Sequence, residues 1–135
     1  MAWHLVSSPE VGHWVAAYAG GNYDETKSQA IGFVRDDKLI AGFIYEKWNG
    51  QSVFCHLAIK GKINRTFLRV AMGYAFEGIG AKKIIGTILS SNTKSIKAAK
   101  ALGAVQEACI TNAAPGGDVL FFTMTAEQCR FFGGK

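Results

Sequence analysis

Charge is scarce in this chain, and acid more so than base. Only 19% of residues are Asp, Glu, Lys or Arg, while 49% are hydrophobic. That excludes a disordered chain, which lacks the apolar surface needed to fold. No apolar run approaches the roughly 18 to 20 residues of a membrane helix, so no membrane partner is expected. The opening stretch MAWHLVSSPEVGHW has no basic segment leading into an apolar one. A secretory signal is therefore not expected, and the chain reads as cytoplasmic. Three cysteines, Cys55, Cys109 and Cys129, are an odd number without CxxC or zinc-like spacing, which argues for reduced thiols and no metal site. Cys55 and Cys109 lie in strand-like runs and are expected to act as small buried apolar groups. There is no P-loop, no GxGxxG, no repeat, no low-complexity tract and no interdomain linker.

With 135 residues the chain is read as one domain, residues 1–135. Ten acids against fifteen bases leave a net charge of +5, which favours an anionic partner, either nucleic acid or a phosphorylated cofactor. Nine of the fifteen bases lie between Lys60 and Lys100, a concentration that a cofactor-binding face explains as well as a nucleic-acid groove does.

Residues 2–7 suit a short strand. Ser8-Pro9-Glu10 is a helix start, with hydroxyl, proline and acid in the preferred order. That helix should end at Gly20-Gly21, with Val11, Trp14, Val15 and Tyr18 forming a core-facing stripe and His13 facing solvent. After the polar connector 21–29, residues 31–59 read as three antiparallel strands, turned at Arg35–Lys38 and at Trp48-Asn49-Gly50-Gln51. A helix from Asn64 to about Gly78 is apolar almost all round, so it is expected to pack on the sheet and be covered again. Lys82–Leu89 is a strand parallel to its predecessor across that helix. Ser91 or Asn92 then caps a helix ending at Leu102-Gly103, and 104–112 and 118–124 form a hairpin around Pro115-Gly116-Gly117. The class is α+β: a mixed, mostly antiparallel twisted sheet of about six to seven strands flanked by about three helices.

This β-α-βββ-α-β-α-β-β order, together with Asn92-Thr-Lys-Ser-Ile-Lys-Ala-Ala-Lys-Ala-Leu-Gly103, resembles the GNAT superfamily of acetyl-CoA-dependent N-acetyltransferases. The resemblance runs over about residues 2–125 and is closest to short, atypical members from phage-like genomes. It implies acetyl-CoA as co-substrate, a CoA thioester and an amine acceptor as partners, and transfer of the acetyl group by direct attack. Lys60-Gly61-Lys62-Ile63-Asn64-Arg65 falls on the family's pyrophosphate loop, with Ile63 and Arg65 at its two glycine positions. The cofactor positions so implied are Leu57, Ala58, Ile59, Lys60, Gly61, Lys62, Ile63, Asn64, Arg65, Thr66, Asn92, Ser95 and Lys97. Asn64 as N-cap, the helix dipole and Lys60, Lys62 and Arg65 would compensate for the missing glycines; the other reading of KGK is a solvated turn.

The family's acid, a tyrosine seven residues after the asparagine, is replaced by Ala99, and Tyr18, Tyr74, Ser90, Ser91, water or no acid at all are the alternatives. His56 is the leading base, Glu46 the second; a hydrogen-bonded core histidine and a solvated glutamate are the plainer readings. Lys94, Lys97 and Lys100 form a ridge that either faces solvent or meets the ribose phosphate. A short first helix and connector imply an open acceptor cleft, compatible with a nucleic-acid or ribonucleoprotein acceptor. The apolar FFTMT and CRFF segments suit a homodimer. The competing function is a catalytically degenerate GNAT-like binder of a protein or nucleic acid.

Overall fold

The computed structural model describes residues 2–19 and 23–133. In chain order the elements are β1 (Trp3–Val6), α1 (Pro9–Ala19), β2 (Gln29–Arg35), β3 (Lys38–Glu46), β4 (Ser52–Ile59), α2 (Arg65–Gly73), β5 (Lys83–Leu89), α3 (Thr93–Leu102), β6 (Val105–Ala114) and β7 (Gly117–Met124). The strands form one seven-stranded sheet in the order β1-β2-β3-β4-β5-β7-β6. Only β4 and β5 run parallel; the other neighbours are antiparallel. This is the expected α+β mixed sheet with three helices. The stop expected at Gly20-Gly21 lies outside the described residues.

Helices cover both faces at the centre of the sheet, so β3 is buried without interruption from Ala41 to Glu46, as strands sandwiched on both sides are. On one face α1 seats Val11 and Val15 over the cross-strand pair Gly32–Gly42. A Cβ on Gly32 would lie 2.8 Å from Val11, and one on Gly42 2.7 Å from Val15. Two glycines side by side thus let the helix approach the sheet. On the opposite face, Phe33, Phe43 and Phe67 cluster fully buried, each contributing about 2–3 kcal/mol of apolar burial.

The turns follow the sequence chemistry. Asp36 and Asp37 both adopt positive φ (50° and 64°), the geometry of a tight hairpin. At the second turn Asn49 works through its side chain, accepting from the N–H groups of Gln51 and Ser52, while Gly50 takes φ 90°.

Four expectations are corrected. Tyr18 is not part of the core stripe of α1: it is 57% exposed, its ring lying against Trp14 and under the Lys60 ammonium instead of in the core. The helix from Asn64 is not covered all round. Phe67, Ala71 and Met72 face the core, whereas Val70 is 43% exposed and Arg65, Thr66 and Arg69 face outward. Arg65, Thr66 and Arg69 make the outward face polar, so that it meets water and not a second layer. That helix also widens into a π-helical segment, Tyr74–Ile79, before Gly80 ends it at φ 87°. At the junction the Ala71 carbonyl accepts the Tyr74 N–H and also the buried Tyr45 hydroxyl at 2.6 Å. Finally, Cys109 is exposed rather than buried, since β6 is an edge strand open to solvent along nearly its whole length.

Candidate functional site

The parallel pair β4–β5 is in register only at Ser52–Lys83, Val53–Ile84 and Phe54–Ile85. Beyond Phe54 the two strands part. Cys55–Ile59 stays paired to β3, and Gly86–Leu89 stays paired to β7. Backbone edges that would complete a ladder face a slot instead. That slot, about 710 Å³, is lined from β4 by Cys55 to Lys60, from β5 by Gly86 to Leu89, from α3 by Asn92, Ser95 and Ala99, and from α1 by Tyr18. It passes between the strands and so opens toward both faces of the sheet.

His56 projects on the α1 face, in register with Ile44 and two residues from Ala58, both members of the α1-side core. Glu46 lies diagonally across on β3, on the same face. His56 Nε2 is 2.6 Å from Glu46 Oε2, with the carboxylate side chain only 6% exposed and the imidazole 14%. A neutral ring donating Nε2–H to that carboxylate leaves Nδ1 as the basic nitrogen. The carboxylate fixes ring and tautomer together, as the orienting acid of a catalytic dyad does.

The Cys55 side chain faces the α2 side of the slot, and burial pushes its thiol far above the ordinary range. It lines the slot as a half-buried, protonated thiol.

The loop after β4 lies at one end of the slot. The Lys60 amide donates to the Ile40 carbonyl and its ammonium sits 4.5 Å from the Tyr18 ring centre. The Lys62 carbonyl accepts from Arg35 Nε. Ile63 packs on the main core, Asn64 caps α2 by accepting from the Phe67 N–H at 2.9 Å, and the Arg65 guanidinium lies over Phe131. Neither Ile63 nor Arg65 needs positive φ, so side chains at these two positions cost no backbone strain. The first-turn N–H groups of α2 have no partner within the helix; Arg65 opens that helix, and Lys60 and Lys62 lie in the loop before it. An anionic group fits this end of the slot.

Of the positions expected from sequence, Leu57, Ala58, Ile59, Lys60, Asn92 and Ser95 line the slot together with His56. Gly61, Lys62, Ile63, Asn64, Arg65 and Thr66 follow Lys60 in the loop and first turn of α2 and do not line it, and Lys97 is exposed on α3 without lining it either. Asn92 caps α3, accepting from the Ser95 N–H at 3.2 Å. Glu46 is buried on His56 and not solvated. Sequence reasoning missed the β5 and β7 wall, Thr87, Ile88, Val119 and Phe122, because the β5–β7 pairing inserts β7 between neighbours in sequence and has no local signal. Among the tyrosines, Tyr18 lines the slot and Tyr74 does not. Tyr18 sits at the Lys60 end, about 13 Å along β4 from His56. Ser90 Oγ accepts from the Asp118 N–H. Among the described residues no group of three or more His, Cys, Asp or Glu could hold a metal ion, and no helix is long and apolar enough to cross a membrane.

A mixed sheet whose central parallel pair splays open, with a helix N-terminus at the mouth, defines the fold of the GNAT N-acetyltransferases. Solved structures of such enzymes match the chain at low identity. A mutant of the spermidine N-acetyltransferase SpeG from Vibrio cholerae matches with TM-score 0.71 at 13% identity, over 91% of this chain and 93% of the other. The Campylobacter jejuni N-acetyltransferase PseH in complex with acetyl coenzyme A matches with TM-score 0.58 at 13% identity, over 75% and 70%. The ribosomal-protein-S5-alanine acetyltransferase from Vibrio fischeri matches with TM-score 0.62 at 18% identity, over 78% and 65%. No protein-family model matches the sequence, and no curated protein is detectably similar to it.

Proposed function

We propose that the protein is an N-acyltransferase that moves an acetyl group from acetyl-CoA to an amine, acting as one domain over residues 1–135. The observation that carries this reading is the His56–Glu46 pair set on the acceptor-side face of the splayed slot. The thioester arm lies extended between β4 and β5. Cys55–Ile59 offers about 16 Å of strand edge to its amides, and Leu57, Ala58, Ile59, Asn92 and Ser95 flank it. The pyrophosphate meets Lys60, Lys62, Arg65 and the N–H groups of Arg65 and Thr66 at the α2 N-terminus, with Gly61, Ile63 and Asn64 shaping the turn and Lys97 near the nucleotide.

His56 Nδ1 takes a proton from the acceptor nitrogen as the N–C bond forms. Backbone N–H groups on the open edge of β4 hold the oxyanion. The C–S bond then breaks, and CoA leaves as thiolate, to be protonated from solvent. Glu46 neutralises the imidazolium between these events. Scarcity of tyrosine at the reacting end is compatible with this chemistry, because a thiolate is a stable leaving group. Cytoplasmic residence and a homodimer belong to the same reading.

Calorimetry with acetyl-CoA is the first test, and absence of binding at millimolar ligand sinks the proposal. With binding established, His56→Gln is expected to lower kcat by about 10²–10⁴-fold while leaving acetyl-CoA affinity in place. Binding without turnover of any amine would return the protein to the degenerate-binder reading.

A further inference from the structure

Alternation along the strands divides the sheet cleanly. Val53, Ile84, Phe122 and Met124 belong to the α2 side, so their neighbours in sequence face the other way. Phe54 pairs with Ile85, Thr87 with Phe121, Leu89 with Val119, and Ile110 with Val119. Phe54, Ile85, Leu89, Phe121, Val119 and Ile110 therefore share one face, the face that carries His56. α1 packs chiefly on β2, β3 and β4, which leaves this half of the sheet as an open, largely apolar platform, with Thr87 exposed between Ile85 and Leu89. Leu89 is 43% and Ile110 49% exposed, and none of the six is fully buried. Monomeric surfaces seldom leave such a contiguous patch without a use.

Two features of the platform say what lies on it. First, it begins at the reaction site: Phe54 precedes His56 by one alternation on the same strand face, about 7 Å away. From there it runs across β5 and β7 to β6, three interstrand spacings or about 14 Å, the length of roughly four extended residues. Second, it holds no spare negative charge. Glu107 is held by Lys83 at 2.6 Å and by the Thr123 hydroxyl at 2.7 Å, Glu46 is held by His56, and Lys47 stands over the Phe54 ring. Among the described residues of this face a polycation finds no spare counter-charge, and Leu89 and Val119 also border the slot, so the platform joins the reaction site there as well.

Resting on the acyltransferase reading above, we infer that the acceptor is a protein or peptide amine followed by apolar side chains, which lie extended across this platform while the amine reaches His56.

The test compares three acceptors with saturating acetyl-CoA: a short peptide beginning Ala-Leu-Phe-Ile, its counterpart beginning Ala-Gly-Ser-Gly, and spermidine. The apolar peptide is expected to lead in kcat/KM by about tenfold or more, the worth of one or two buried apolar side chains. Ala108→Glu, opposite Phe121, and Ile110→Glu, opposite Val119, both at exposed positions of the edge strand, should raise its KM about tenfold with kcat and acetyl-CoA affinity unchanged. Equal turnover of spermidine or of the Gly-Ser peptide overturns the inference. So does an unchanged KM in the variants, including the case where light scattering shows that they only dissolve a dimer, which would give the platform to a second copy of the chain. Fluorescence anisotropy with the apolar peptide labelled at its C-terminus separates the two readings. Peptide binding that the variants abolish, in protein that binds no acetyl-CoA, supports the docking surface and removes the acyltransferase.

Discussion

Replacing Tyr45 by Phe removes one oxygen, yet that oxygen serves a carbonyl at the place where α2 widens into a π-helix. Ala71 O keeps its Tyr74 partner, so Tyr45→Phe is expected to cost about 1–1.5 kcal/mol, read as a drop of about 4 °C in thermal midpoint. Burial also raises the Tyr45 phenol well above 10.0 and the Cys55 thiol above 9.0. Both stay protonated in the folded chain at pH values where the unfolded chain releases its protons. Their contribution to stability is therefore complete below pH about 9 and is lost as pH climbs toward the raised folded values. Urea midpoints should fall steadily above pH about 9, and Cys55→Ala should remove the first part of that slope. His56 illustrates what a sequence conveys at this scale. Its type and its apolar run marked it out, but its orienter could not be chosen, because Glu46 becomes its partner only through the β3–β4 register.

At the scale of elements, α3 ends where Leu102-Gly103 predicted, for two physical reasons. Gly103 takes φ 112°, and a Cβ there would lie 2.0 Å from the Gln128 carbonyl oxygen. Gly103→Ala should therefore cost about 2–3 kcal/mol, checked by urea unfolding, with Lys100→Ala as a control that changes little. Elements with local signals were legible: Asn64 and Asn92 as caps, the Asp36-Asp37 turn, the three consecutive strands. What stayed hidden depends on distant neighbours. The exposure of Cys109 reflects a layer that is absent beyond β6, which no local periodicity encodes, whereas Val70 shares the outward face that Arg65, Thr66 and Arg69 make polar. The walls of the slot from β7 were invisible for the same reason, whereas the parallel crossover β4-α2-β5 was readable because chain chirality fixes it.

For the whole molecule, the slot is a gap in the packing. No residue of α3 is buried, and β4 and β5 part above Phe54. A thioester arm filling that gap would supply the missing contacts. Acetyl-CoA at about one hundred times its Kd should then stabilise the protein by about 2.7 kcal/mol, measurable as a rise of several degrees in melting temperature. With Lys60, Lys62 and Arg65 at the mouth, the affinity should weaken as salt increases from low to physiological concentration. A melting temperature indifferent to acetyl-CoA would contradict the placement of the cofactor.

The outer strand β6 breaks step with β7 twice, between Gln106 and Ala108 and between Ile110 and Ala114, where Asn112 adopts φ 55°. Such interruptions twist an edge and spoil its ladder. The strand that finishes the sheet is thereby a poor template for fibril growth, and a chain that displays Ile110 and Val105 to water is protected from polymerising by its own irregularity.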